Sequence, residues 1–192
     1  PKVFVLDNGM FICEGDPDAA ISHYLSLVTP RFTSKTRDLT VIERPKEMQP
    51  VFLEGVLNDA PLCGDHLVKP KEELRFRLLL NLPHSMRGCT VGIHFEDDKG
   101  IRIYAVNTRW VMNTVNLAKG VHEITCLIPE LPLVPGRYYI SLGFSAEGRQ
   151  VDWLERVSSL EVSKEDVYGT GQLPWPGQGY YLSSAVWKLN RG

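Results

Sequence analysis

LRFRLLLNL, from Leu74 to Leu82, alternates with a period of two. Leu74, Phe76, Leu78, Leu80 and Leu82 fall on one face, with Arg75, Arg77 and Asn81 on the other. Successive side chains of a strand point to opposite faces, so this pattern predicts a β-strand with one buried and one wetted side. Such one-sided alternation belongs to antiparallel sheets. The run is the longest apolar stretch of the chain, yet Arg75 and Arg77 interrupt it. It falls well short of the roughly 20 apolar residues needed to span a bilayer.

Similar signals surround it. Val51 to Asn58 reads as a strand closed by the turn residues Asp59, Pro61 and Gly64. CTVGIHFE (Cys89 to Glu96) and IRIYAV (Ile101 to Val106) are joined by Asp97-Asp98-Lys99-Gly100, where Gly100 suits a left-handed position. Val121 to Ile128 is a further strand, and the proline-rich PELPLVPG follows it. In Arg137 to Ser145 the residues Tyr138, Ile140, Leu142 and Phe144 point inward, with Tyr139 and Ser141 outward. Ser158 to Val162 and Tyr180 to Leu189 complete the set. About eight short strands with polar turns, and no helical period after residue 50, predict a mainly β fold: an antiparallel sandwich of immunoglobulin-like type.

The first 50 residues differ. VFVLDNGMFICEGDPDAAISHYL (Val3 to Leu25) reads as a hairpin turning at Asn8-Gly9 and running into a helix. Asp16 can cap that helix, Pro17 suits its first position, and Ile21, Tyr24, Leu25 and Val28 form one apolar stripe ended by Pro30. A hairpin and one amphipathic helix bury little by themselves, so residues 1–30 read as the last piece of a larger domain. Arg31 to Pro50 is polar and ends in proline, which reads as a linker. Residues 51–192 are then the sandwich.

With 43% hydrophobic residues, 23% charged and a net charge of -2, the chain sits in the ordinary globular class. The near-neutral balance argues against nucleic acid as a partner. Cys13, Cys63, Cys89 and Cys126 are scattered and read as reduced thiols acting as small hydrophobes. The five histidines show no metal-ligand spacing, so neither metal nor other cofactor is expected. No G-x-x-x-x-G-K-[ST] loop, G-x-S-x-G elbow or spaced carboxylate pair occurs, and no enzyme activity is expected of this chain. Sugar recognition suits it better, since a sheet face can offer aromatic rings to C–H faces and planar polar groups to hydroxyls. The outward candidates are His94, Arg102 and Tyr104 on one hairpin, Tyr139 on another strand, and Trp153 in RQVDWLER.

In order along the chain, Val3 to Leu27, GIRIYAVNT (Gly100 to Thr108), LPLVPGRYYISLGF (Leu131 to Phe144), VDWLERVSSLEVSKEDVYGTG (Val151 to Gly171) and GQGYYLSSAVW (Gly177 to Trp187) resemble one family. It is the C-terminal part of the ATP-binding subunit of O-antigen polysaccharide ABC transporters, the Wzt type with an appended carbohydrate-binding domain. The resemblance implies a module that binds the non-reducing end of a lipid-linked O-polysaccharide and selects it for export across the inner membrane. It implies a homodimer with the C-terminal strand exchanged, and a transmembrane subunit as partner through an ATPase domain. It places the module in the cytoplasm, peripheral to the inner membrane. The first 30 residues then read as the end of the nucleotide-binding domain. A purely structural dimerisation domain without a sugar site is the alternative.

Overall fold

The computed structural model describes residues 2–7, 10–17, 20, 24, 35–174, 176–183, 187 and 188. Strands β1 (Val3–Asp7) and β2 (Met10–Gly15) form a two-stranded antiparallel sheet of their own. Its turn, Asn8-Gly9, lies outside the described residues, as does most of the forecast helix. Pro17, Ala20 and Tyr24 are helical, with the Ala20 N–H donating to the Asp16 carbonyl at 3.0 Å.

The remainder is a two-sheet sandwich. One sheet contains β10 (Gly120–Ile128), β6 (Leu74–Leu82), β3 (Phe52–Leu57) and β4 (Ala60–Pro61), in that order. The other runs β5 (Gly64–Val68), β12 (Arg149–Val162), β11 (Gly136–Ala146), β7 (Met86–Glu96), β8 (Arg102–Asn107), and β9 (Val115–Leu117) also pairs with β7. The quoted stretch behaves as its period demands: the five apolar residues of β6 are buried, while Arg75, Arg77 and Asn81 are exposed. They meet Val91, Ile93 and Phe95 of β7, Ile140, Leu142 and Phe144 of β11, and Leu154 and Leu160 of β12 in one core. Phe76 and Phe95 cross the interface edge to face, with centroids 6.2 Å apart and planes at 79°. Each fully buried side chain of this size stabilises the fold by about 1.5–3 kcal/mol.

Five features depart from the sequence reading. Of the strand expected at Tyr180 to Leu189, the described residues form only the single bridge of Tyr181 to Leu133, and the rest lies outside the described residues or without regular structure. β5 pairs parallel with β12, so the sandwich is not wholly antiparallel. The strand expected at Ser158 to Val162 begins at Arg149, because the intervening VDWLERV continues the ladder through bulges. A single helical turn, Thr108–Met112, interrupts the β pattern, capped by Asn107 Oδ1, which accepts from the Arg109 N–H at 2.8 Å. Finally, residues 35–50 are no free linker. Leu39 is fully buried in the core, and Thr36 and Asp38 form bridges to Cys63 and Glu54. Arg44 reaches Asp152 of β12 at 2.9 Å. A polar segment can dock in this way when its few apolar and charged side chains find matched burial. Composition alone does not reveal that match.

The cysteines are free, with Cys63 and Cys89 buried and Cys13 and Cys126 half-buried. Burial pushes the Cys63 thiol up to about 11.

Candidate functional site

Bulges decide what the outer face of the larger sheet presents. Between Ser158 and Leu154 three residues of β12, Glu155, Arg156 and Val157, oppose Ser141 of β11 alone. Arg156 takes a left-handed conformation there (φ 46°), and its N–H donates to Ser141 Oγ at 2.9 Å. This geometry swings the guanidinium over the ring of Tyr139, 4.7 Å from its centroid, and 3.8 Å from the Glu96 carboxylate. Burial holds the Glu96 carboxyl above its ordinary range, against the pull of Arg156 and Arg102.

A second bulge, in the β7–β8 hairpin, sets Arg102 opposite Glu96 while Tyr104 opposes Phe95. Arg102 therefore faces outward and Tyr104 inward, its ring 5.4 Å from that of Phe95.

Next to this charged corner, one register row crosses four strands: Asn107 on β8, Gly92 on β7, Gly143 on β11 and Trp153 on β12. The two central glycines are what lets rings lie on the sheet. A Cβ at Gly143 would stand 3.2 Å from both Cε3 and Cζ3 of the Trp153 indole. One at Gly92 would stand 2.7 Å from His94 Nε2 and 3.2 Å from Asn107 Nδ2. His94 leans against Trp153 with centroids 5.2 Å apart and planes at 51°, and the Arg102 guanidinium lies 5.6 Å from the indole centroid. Burial, reinforced by Arg102, pushes the His94 imidazole down to about 4. It is neutral at physiological pH, offering one donor and one acceptor nitrogen. Its Nδ1 is buried without a hydrogen-bond partner.

Of the five residues singled out from the sequence, His94, Arg102 and Trp153 come together here. Two do not belong to an open face. Tyr104 is packed on the core by the hairpin bulge, and Tyr139, although outward by parity, is only 1% exposed beneath Arg156. Sequence reasoning passed over Gly92 and Gly143. A glycine inside an otherwise alternating strand, as in TVGIHF and SLGFS, signals close approach of another group, and that signal was available.

The arrangement is a platform: an indole laid on a glycine floor, flanked by a neutral imidazole, an amide and a guanidinium. It can stack on an apolar ring face and exchange hydrogen bonds with neutral hydroxyls.

Bordering Asn107, an apolar cleft of about 590 Å³ opens between residues of both sheets, with Leu78, Ile93, Val106, Trp110, Met112 and Ile124 in its lining. Trp110 and Val111 on the helical turn are 70% and 86% exposed. Among the described residues, strand β10 forms the edge of its sheet here and pairs with β6.

Fold and face together define an immunoglobulin-like β-sandwich module with a mixed aromatic and polar platform on one sheet. A family model for the Wzt C-terminal domain matches residues 63–173, more than half of the chain, and the chain belongs to that family. The crystal structure of the C-terminal domain of Wzt superposes with a TM-score of 0.61 at 14% identity, covering 82% of this chain and 95% of that one. At that identity the likeness speaks for the fold alone. A family 123 glycoside hydrolase from Clostridium perfringens overlaps 52% of this chain and 22% of its own at 12% identity, with a TM-score of 0.37. That overlap is too loose to carry an argument. No curated protein sequence matches the chain. Among the described residues, no helix is long and apolar enough to cross a membrane.

Proposed function

We propose that this domain binds the non-reducing end of a lipid-linked O-antigen polysaccharide and selects it for ABC-transporter export across the inner membrane. Family membership ties the chain to O-antigen ABC transport. The observation that carries the finer reading is the Trp153 indole lying across Gly143 beside neutral His94 and exposed Arg102. A sugar ring laid on that indole would bring its hydroxyls within reach of the imidazole, the Asn107 amide and the guanidinium. On this reading the chain carries recognition and no catalysis of its own. It works at the cytoplasmic side of the inner membrane, joined to a transmembrane subunit through an ATPase domain to which residues 1–30 belong.

The test is calorimetric titration of the source strain's O-polysaccharide into the domain and into Trp153→Ala. Losing one stacking ring should weaken binding about five-fold, on the order of 1 kcal/mol. Equal affinity of the variant and the parent rules out this face.

A second reading, a homodimerisation domain of the transporter ATPase, is favoured by the apolar cleft and by β10 standing at the sheet edge among the described residues. Open strand edges recruit strands, and a second copy's C-terminal segment could supply one. Tyr181 bridges Leu133 of its own chain, so on this reading an exchanged strand would begin after Ser183. A dimer by light scattering, together with no response to polysaccharide, would favour this second reading.

A further inference from the structure

Beside the platform, β12 carries one extra residue. Phe144 of β11 opposes Asp152 and Ser145 opposes Gln150, which leaves Val151 without a partner on β11. A bulge of this kind disrupts the ladder locally. The Gln150 side chain spans the gap. Its Nε2 donates to the Phe144 carbonyl at 2.9 Å and to the Asp152 carbonyl at 2.6 Å. Its Oε1 accepts from Ser145 Oγ at 3.3 Å. The partners fix the orientation of the amide: two carbonyls can only accept, and the two N–H bonds of one nitrogen meet them.

These bonds bear directly on the aromatic ring. Asp152 precedes Trp153, so its carbonyl belongs to the peptide that leads into the indole-bearing residue. Phe144 follows Gly143, the glycine on which the indole lies. One amide therefore clamps the peptide entering Trp153 to the strand that supplies the floor, at the point where the ladder is broken. The amide also flanks that floor. A Cβ on Gly143 would stand 3.4 Å from Gln150 Nε2, against 3.2 Å from the two indole carbons. Gln150 is exposed, and water can serve carbonyls at such a position, so the amide adds little net stability. What water does not supply is a fixed link between the two peptides.

We propose that Gln150 is a positioning residue of the platform, holding the Trp153 indole flat on Gly143 and so setting the strength of ring stacking there. Its effect on ligand binding rests on the glycan reading above; its effect on the indole does not. The test uses the full chain labelled with 5-fluorotryptophan, in which the Trp153 resonance is the one of four that Trp153→Ala removes. Gln150→Met and Gln150→Glu both lose the two donors at nearly constant length. Each should shift and broaden the Trp153 fluorine resonance while the circular dichroism spectrum stays β. Titrated with the source strain's O-polysaccharide, each should bind about two- to five-fold more weakly than the parent, since the loss cannot exceed that of the ring itself. In a Trp153→Ala background neither should weaken binding further, because a residue acting through the indole then has nothing to position. Ser145→Ala keeps both carbonyl bonds and should leave the resonance in place. The proposal falls if either folded variant keeps the parent resonance, if the substitutions weaken binding equally with and without Trp153, or if both variants lose the fold. A parent that binds no polysaccharide would refute the glycan reading, and a shifted fluorine resonance would still establish the positioning.

Discussion

Replacing Arg44 by Met should cost about 3–5 kcal/mol of stability, although Arg44 lies in a stretch that reads as a polar linker. Asp152 is fully buried, and its carboxylate accepts from Arg44 Nε and Nη2 at 2.9 and 3.4 Å. It also accepts from the N–H groups of Val51 and Phe52 at 2.7 and 3.0 Å. Arg44 in turn donates to the carbonyls of Leu39, Ile42 and Phe52 at 3.2, 3.0 and 3.2 Å. Methionine fills much of the space but leaves a buried carboxylate without its cation and removes the guanidinium bonds to these carbonyls. Breaking one side of a buried pair is costly for that reason, even where the intact pair adds little net stability. In a domain of this size each kcal/mol moves the melting point by about 2–4 °C, so Arg44→Met should melt about 6–20 °C lower. Circular dichroism against temperature, with urea titration for the free energy, measures it. The internal control is Arg77→Met, whose pair with Glu123 at 3.5 Å has both side chains about half exposed and should cost under about 1 kcal/mol. Equal midpoints for Arg44→Met and the parent would refute the claim that residues 35–50 are structurally part of the sandwich.

Leu78→Ala, in the middle of the core face of β6, should cost about 2–5 kcal/mol by urea denaturation, since the site is buried against both sheets. Gly143→Val places carbon 3.2 Å from the indole and should lift Trp153 off the sheet, red-shifting its fluorescence and weakening polysaccharide binding while the circular dichroism spectrum stays β; an unshifted emission maximum counts against the glycine floor. His94 is held near 4 in the fold against 6.5 for a free imidazole, so the unfolded chain takes up a proton first as pH falls. Its contribution is therefore complete above about pH 6.5 and lost progressively down to about pH 4, by about 1–2 kcal/mol once solvent screening of this half-buried ring is allowed for. His94→Gln should flatten that part of the stability profile, and a parallel profile would refute the assignment.

The sandwich was legible in the sequence because its evidence is local. A period of two over Leu74 to Leu82 and over Tyr138 to Phe144 leaves one face for the core, and turn residues such as Asp97 to Gly100 mark where strands reverse. Burial then follows wherever the ladder is regular, as it does along β6. The platform was legible only in part. Parity counting carried His94 to the outer face and the polar context of RQVDWLER marked Trp153, but parity cannot see a bulge, which adds residues to one strand without a matching mark in the sequence. The bulge at Glu96 turned Tyr104 inward beside Arg102, and the one before Ser158 laid Arg156 over Tyr139. Long-range partnership was likewise invisible: Arg44 finds Asp152 across 108 residues, and Gly92 and Gly143 become neighbours only when β7 and β11 align. Side-chain period is a property of a few adjacent residues, whereas register, bulges and buried ion pairs arise between segments far apart in the chain, and only the tertiary structure brings those segments together.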